Sequence, residues 1–246
     1  MNKIIKGNCF EVMKELSLKD NIKLVLTDPP YLHNKGGGKT SGTEGKSKIA
    51  NSPMYKFNSF MMEEMSSFGE NEVYNLLDNY KRIMLKMNCF IFCDDSLIPF
   101  YTMWAVNNKK KFTLLTWEKP LSILNRNRFS QNLEYCVRIY DNGTALNLLD
   151  LEKYPSKKQY YSKNRKLNSP SNKQHPTQKP IEYLKGIIEL STNENDVVLD
   201  SFFGSGETGI ACLQLNRKYI GIELTEKYFN ISKIRINNEI GQTKLF

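Results

Sequence analysis

The apolar run Ile22-Lys23-Leu24-Val25-Leu26-Thr27 is stopped by Asp28-Pro29-Pro30-Tyr31. A short aliphatic stretch with a β-branched residue, closed by two prolines, reads as a buried strand with an abrupt end. The paired prolines fix two φ angles and remove two N–H donors, so the backbone beyond the strand is stiff. What it holds rigidly is a carboxylate, a row of carbonyl oxygens and an aromatic face. That set suits an amino group on a flat ring, offering acceptors for its hydrogens and a ring for its π-face. A proline-terminated strand with a surface tyrosine is the other reading of these four residues taken alone.

Around this stretch, short apolar strands alternate with amphipathic helices, the pattern of an α/β fold. A chain of 246 residues can bury a full core as one domain with an insertion. A strand at residues 3 to 6 leads through Gly7-Asn8 into a helix with Phe10, Val12, Met13 and Leu16 at helical spacing, and Asn8 is placed to cap it. The spacing of Val73, Leu76, Leu77, Tyr80, Ile83, Met84 and Met87 predicts a helix over about residues 71 to 87. A central strand, Cys89 to Cys93, ends in Asp94-Asp95-Ser96, read as a helix cap ahead of a helix over 97 to 106. Lys109-Lys110-Lys111 reads as a solvated turn, and strands follow over 112 to 117 and 133 to 140. Further on come a helix over 181 to 190 and a strand over 196 to 200. The glycine-bearing loop Ser201 to Gly209 leads into a helix ending near Leu215. A strand over 218 to 222 ends in Glu223, and residues 225 to 238 form the closing helix.

Gly204 and Gly206 permit a tight turn and close approach of a ligand to the backbone, with a helix N-terminus behind. The loop lacks the full dinucleotide fingerprint. An acid at the tip of the next strand, roughly 20 residues on, is placed to hold both hydroxyls of a ribose. A sugar-bearing cofactor is therefore expected at this end of the chain.

The 35 Lys+Arg against 26 Asp+Glu give a net charge of +9, which suits a polyanionic partner. The positive charge is concentrated in three places. One is a Gly-, Lys- and Ser-rich segment over 33 to 58 with Gly36-Gly37-Gly38-Lys39, whose spacing departs from a triphosphate loop. A second is Asn125-Arg126-Asn127-Arg128-Phe129. The third, residues 151 to 173, holds seven Lys/Arg and one acid, interleaved with Tyr154, Tyr160 and Tyr161. Lys39, Arg126, Arg128, Lys157, Lys158, Tyr160, Tyr161, Lys163, Arg165 and Lys166 are the candidate contacts to phosphates and bases. Solvated loops are the competing reading. Five scattered cysteines and two histidines offer neither a disulfide framework nor a zinc spacing, which points to a reducing, cytoplasmic compartment. No signal-peptide core and no apolar run of membrane-spanning length is present.

Asp28-Pro29-Pro30-Tyr31, His175-Pro176-Thr177-Gln178-Lys179-Pro180 and Val198 to Gly206, with Glu223 beyond, resemble the motifs of amino-methylating DNA methyltransferases. With the tetrapeptide first and the cofactor loop last, the order is similar to that of the permuted β group, and the resemblance spans Asn8 to Glu223. It implies a Rossmann-like α/β sheet with helices on both faces and S-adenosylmethionine as cofactor. Residues 1–140 would be the catalytic half, 141–174 an inserted target-recognition segment and 175–246 the cofactor-binding half. The implied catalytic residues are Asp28, Pro29, Pro30 and Tyr31. Those implied for the cofactor are Asn8, Cys9, Asp28, Lys179, Asp200, Phe202, Gly204, Ser205, Gly206, Thr208 and Glu223, with Lys179 facing the cofactor carboxylate or the catalytic loop. Double-stranded DNA is the implied partner, with no metal and with a second subunit as in some relatives, and restriction-modification is the implied setting. Asp rather than Ser at position 28 points to adenine N6; cytosine N4, another planar amide or amine, and an inactive DNA-binding homologue are the alternatives. Two positions depart from the family. Asn8 stands where Asp is usual, and Glu207 stands where Thr is usual, which puts a negative charge near the expected sulfonium.

Overall fold

A computed structural model of the protein describes residues 2–30, 68–118, 133–144, 146–147 and 179–243. Seven strands form one sheet: β1 (Lys3–Lys6), β2 (Ile22–Thr27), β3 (Asn88–Cys93), β4 (Lys111–Glu118), β5 (Leu133–Tyr140), β6 (Val197–Asp200) and β7 (Lys218–Glu223). Their order is β1-β7-β6-β2-β3-β5-β4. All neighbours are parallel except β5, which runs antiparallel to both β3 and β4. Among the described residues the α-helices are α1 (Cys9–Glu15), α2 (Glu70–Ile83), α3 (Ile98–Asn107), α4 (Ile181–Ser191), α5 (Glu207–Gln214) and α6 (Glu226–Thr243).

The period-2 alternation of the strands sorts the core into two layers. Val25, Cys89, Ile91, Cys93 and Leu199 point to one side, where Met13 of α1, Leu76 and Tyr80 of α2, and Tyr101 and Trp104 of α3 cover them. Leu24, Leu26, Phe90, Phe92 and Val198 point to the other, against Tyr183 and Ile187 of α4, Ile210 and Ala211 of α5 and Ile236 of α6. Burial on both faces explains why the central strands are continuous apolar runs rather than alternating ones.

Two helices differ from their sequence-based extents. α2 stops at Ile83, because Met84 takes an extended conformation (φ −111°, ψ 133°) as the chain turns toward β3. Met84 and Met87 are still buried in the same core, so they keep the periodicity without being helical. α6 continues to Thr243. The lysine turn is not wholly solvated either: the Lys110 ammonium is largely buried and lies 2.5 Å from the Asp141 carboxylate, whose pKa is lowered by that partner despite the opposing effect of burial. All five cysteines are buried and free of disulfides. No helix among the described residues is long and apolar enough to cross a membrane.

The sheet's winding places the site. From β6 the chain moves outward to β7, while from β2 it moves the other way to β3, so β6 and β2 are the neighbours at which the order reverses. Ligands of doubly wound sheets bind in the crevice outside the carboxyl ends of such a pair. β2 ends in Thr27-Asp28 and β6 ends in Asp200-Ser201.

Candidate active site

The two strand ends are bolted together by buried hydroxyls. Thr27 Oγ1 donates to Asp200 Oδ1 at 2.8 Å, and Thr208 Oγ1, one residue into α5, donates to Asp200 Oδ2 at 2.7 Å. The Phe202 N–H adds a third bond to Asp200 Oδ1 at 3.1 Å. Burial pushes the Asp200 carboxyl up to about 7, against the downward pull of these donors. Ser201 Oγ bonds the buried Tyr80 hydroxyl of α2 and lies 3.4 Å from Thr27 Oγ1. Asp200 and Thr208 therefore serve the framework, holding together the two halves of the crevice.

From Asp200 the chain turns through Ser201 to Gly206. The Phe203 N–H donates to Ile222 O at 2.8 Å, and the Gly204 N–H donates to Glu223 Oε2 at 2.8 Å. Gly204 and Gly206 take φ of +53° and +91°, values that a side chain would strain. Glu223, at the tip of β7, also accepts from Thr225 N (2.9 Å) and Thr225 Oγ1 (2.7 Å), and burial raises its pKa against these bonds. The Gly7 N–H reaches Glu223 O at 3.0 Å, which draws the Asn8 turn to the same corner. Asn8 caps α1 by accepting from the Phe10 N–H at 2.9 Å. Cys9 faces the core, where burial pushes its thiol up to about 12. Phe202 stands edge-on to Phe68 with ring centroids 5.8 Å apart.

On the β2 side, Lys179 lies buried just before α4, its ammonium 2.7 Å from Asp28 Oδ2 and 3.0 Å from Glu134 Oε2. Its charge also sits 4.9 Å from the Phe92 ring centroid. Burial alone would lower the lysine pKa, but Asp28 and Glu134 together hold it above the ordinary value. The ammonium thus faces Asp28, the residue directly after β2. Glu134 reaches this edge because β5 runs backwards: Cys93, the last residue of β3, pairs with Tyr135, so the start of β5 lies at the carboxyl ends of the parallel strands.

Glu207 does not present a lone charge to the crevice. Its carboxylate is paired with Arg235 of α6 and accepts from Ser205 Oγ at 2.8 Å, while Arg235 also donates to Ser205 O at 2.7 Å. Ser205 is thus buried within the loop's own scaffold. Asp94 Oδ1 accepts from Ser96 Oγ (2.7 Å) and Leu97 N (3.2 Å), closing the turn ahead of α3; the N-cap itself is Leu97 and makes no side-chain cap bond, so the acid pair braces the turn rather than capping the helix. Among the described residues no group of three His, Cys, Asp or Glu could hold a metal ion.

The fold thus brings Asn8, Asp28, Lys179, Asp200, Phe202, Gly204, Gly206 and Glu223 to one edge of the sheet. Tyr31, His175 to Gln178 and all ten candidate DNA contacts, from Lys39 to Lys166, lie outside the described residues. Thr27, Tyr80, Glu134 and Arg235 were not singled out from the sequence. Thr27 and Glu134 carry a weak local signal, a polar residue ending an apolar strand and an acid near the start of one. Nothing near Arg235 or Tyr80 announces a partner more than 25 residues away.

A doubly wound sheet with a glycine turn and an acidic strand tip on one side of the switch point, and an Asp-Pro-Pro end on the other, defines a nucleotide-cofactor enzyme of the group-transfer type. The chain belongs to the DNA methylase family of N6 and N4 methyltransferases, whose model matches residues 22–234. It is 31% identical to the type II methyltransferase M.HinfI of Haemophilus influenzae over 255 residues, covering 96% of this chain and 68% of the relative. It is 24% identical to the DNA adenine methyltransferase YhdJ of Escherichia coli K12, covering 95% and 82%. Among solved structures it shares its fold with the M1.HpyAVI–SAM complex, at TM-score 0.64 and 24% identity, covering 96% of this chain and 100% of that one.

Proposed function

We propose that this protein transfers a methyl group from S-adenosylmethionine to the N6 amino group of an adenine flipped out of double-stranded DNA. The observation that carries the reading is the Thr27–Asp200 bond, which sets the Asp28 strand end beside the Gly204–Gly206 turn at the switch point. The donor set suits the cofactor: Glu223 for its ribose hydroxyls, the Gly204 backbone for close approach, Phe202 beside its adenine. Asp28, Glu134 and Lys179 together carry a net negative charge, which favours a cation near the catalytic edge. When bound, S-adenosylmethionine supplies an electrophilic methyl group.

A duplex hides the reacting nitrogen, so the base is flipped at a cost of a few kcal/mol, and Tyr31 stacks on it. The exocyclic nitrogen is a poor nucleophile because its lone pair is delocalised into the ring. Asp28 and the Pro29 carbonyl accept its two hydrogens and steer the lone pair toward the methyl. Preorganised acceptors of this kind are each worth roughly 3–4 kcal/mol by analogy with oxyanion donors. Lys179 fixes the carboxylate that does the steering. The basic segment over 151 to 173 lies along the DNA, and five buried thiols suit a reducing cytoplasm.

Labelled S-adenosylmethionine and duplex DNA are expected to yield N6-methyladenine; label found only in N4-methylcytosine would overturn the base assignment. Asp28→Ala should lose transfer and keep cofactor binding in calorimetry. An active Asp28→Ala enzyme would refute the mechanism.

A further inference from the structure

The Asp28–Lys179–Glu134 cluster holds two carboxylates for one ammonium, yet the steering of the amino group uses only Asp28. Lys179 is buried to 5% exposure, and the Glu134 side chain is 13% exposed against 25% for Asp28. The two acids therefore share the same charge in different surroundings: Glu134 is the more enclosed, and Asp28 the more open to the crevice. A buried ammonium that loses its counter-ion is costly, commonly by several kcal/mol. Any step that neutralises Asp28 would strand Lys179 unless a second partner were already in place.

We propose that Glu134 is a positioning residue that acts through Lys179: it anchors the ammonium against Asp28 during attack and remains its counter-ion when Asp28 takes a proton. The inference rests on the methyl-transfer reading above and adds the fate of the proton to it. As the nitrogen lone pair forms the new N–C bond, the methyl–sulfur bond breaks and its electron pair stays on sulfur. The methylated nitrogen then carries a positive charge and two protons. One passes to an Asp28 oxygen, restoring a neutral amine. The cluster goes from a net charge of −1 to neutral, with Lys179 retained on Glu134. Asp28, being partly exposed, then releases the proton to water.

Among the described residues, the other titratable groups near the cluster are committed elsewhere or neutral. Asp200 of β6 is committed to Thr27, Thr208 and the Phe202 N–H. Cys93 of β3, Cys136 of β5 and Tyr101 of α3 all lie close enough to feel Asp28, and burial raises each of them, so they stay neutral near pH 7. Asp94 engages Ser96 and the Leu97 N–H.

The test uses the full-length protein carrying Glu134→Gln or Glu134→Asp. Glu134→Gln removes a negative charge from the cluster and leaves Lys179 leaning more heavily on Asp28, which lowers the Asp28 pKa and weakens it as a proton acceptor. Turnover is expected to fall about ten- to a hundredfold, while KM for DNA and calorimetric affinity for S-adenosylmethionine change less than about threefold, at most about half the free energy of that loss. The acid limb of the kcat–pH profile should move to lower pH. So should the Asp28 carboxyl titration followed by carbon-13 NMR in the protein without cofactor or DNA. Glu134→Asp, which restores the charge, should recover much of the turnover and return the limb toward its original position. Wild-type kcat with an unmoved acid limb in Glu134→Gln would overturn the proposal. So would equal losses in cofactor affinity and turnover, in either variant, because they mark a merely structural residue. If the wild-type protein transfers no methyl group to DNA, the methyl-transfer reading itself fails, whereas the NMR titration still reports on the Glu134–Lys179–Asp28 linkage.

Discussion

Replacing Gly221 by alanine probes how the cofactor loop is held. Phe203, between the glycine loop and β7, is 3% exposed. A Cβ on Gly221 would lie 2.5 Å from its Cγ and Cδ2. The ring cannot retreat, because a Cβ position on Gly209 of α5 is only 2.6 Å from its Cζ, and Tyr219 stacks on it with centroids 5.7 Å apart. Reaching ordinary contact near 3.5 Å demands a shift of about 1 Å in a ring walled on both sides. Overpacking costs about 1–3 kcal/mol, and the two-sided confinement puts this site at the top of that range. For a chain of this size each kcal/mol lowers Tm by about 2–4 °C, so a fall of roughly 6–12 °C is expected by calorimetry. Phe203 and Gly204 both donate backbone bonds to the β7 end, so affinity for S-adenosylmethionine should fall with stability. Adding Phe203→Ala removes the clashing Cγ and Cδ atoms. In a double-mutant cycle the pair should therefore couple favourably by more than about 1 kcal/mol. An unchanged Tm in Gly221→Ala, or additive single costs, would refute the confinement argument.

Two further perturbations address the buried charges. Asp200 is raised to about 7 when folded, above its unfolded value of 3.8, so it favours the folded state fully only below pH 3.8, and that contribution is lost as pH rises to about 7. Asp200→Asn should remove this dependence, which is at most about 1.4 kcal/mol per pH unit between pH 4 and 7, giving a flatter urea-denaturation midpoint profile than wild type; an identical slope in both proteins would contradict it. Arg235→Met withdraws the guanidinium from Glu207 and Ser205 and should cost about 3 kcal/mol and weaken cofactor binding, since it leaves a buried carboxylate. Adding Glu207→Gln should recover most of the loss, and a double variant no better than the single one would show that the pair's charge is irrelevant.

Much of the fold was legible because strands and helices announce themselves locally. β5 matches its sequence-based span of residues 133 to 140, and β2, β3, β6 and β7 match within a residue. The prolines after Asp28 and the glycines at 204 and 206 marked the two loops that face each other. α2 was over-read because Met84 and Met87 keep the apolar period while leaving the helix. Burial and helicity are separate facts, and periodicity reports only the first.

By itself, then, the sequence determined the elements and the residue types at the strand ends. Tertiary structure decided which ends meet. The Thr27–Asp200 bond spans 173 residues and the Lys179–Asp28 contact spans 151, and neither leaves any trace in local periodicity. Glu134 belongs to the site only because β5 is antiparallel, a direction that alternation cannot encode, since a strand reads alike whichever way it runs. Gly209, read from the sequence as the end of the loop but lying inside α5, and Gly221 are both fixed by the Phe203 ring between them. Hydrogen-bonding period is a property of neighbours in the chain, whereas charge partnership and ring packing are properties of neighbours in space.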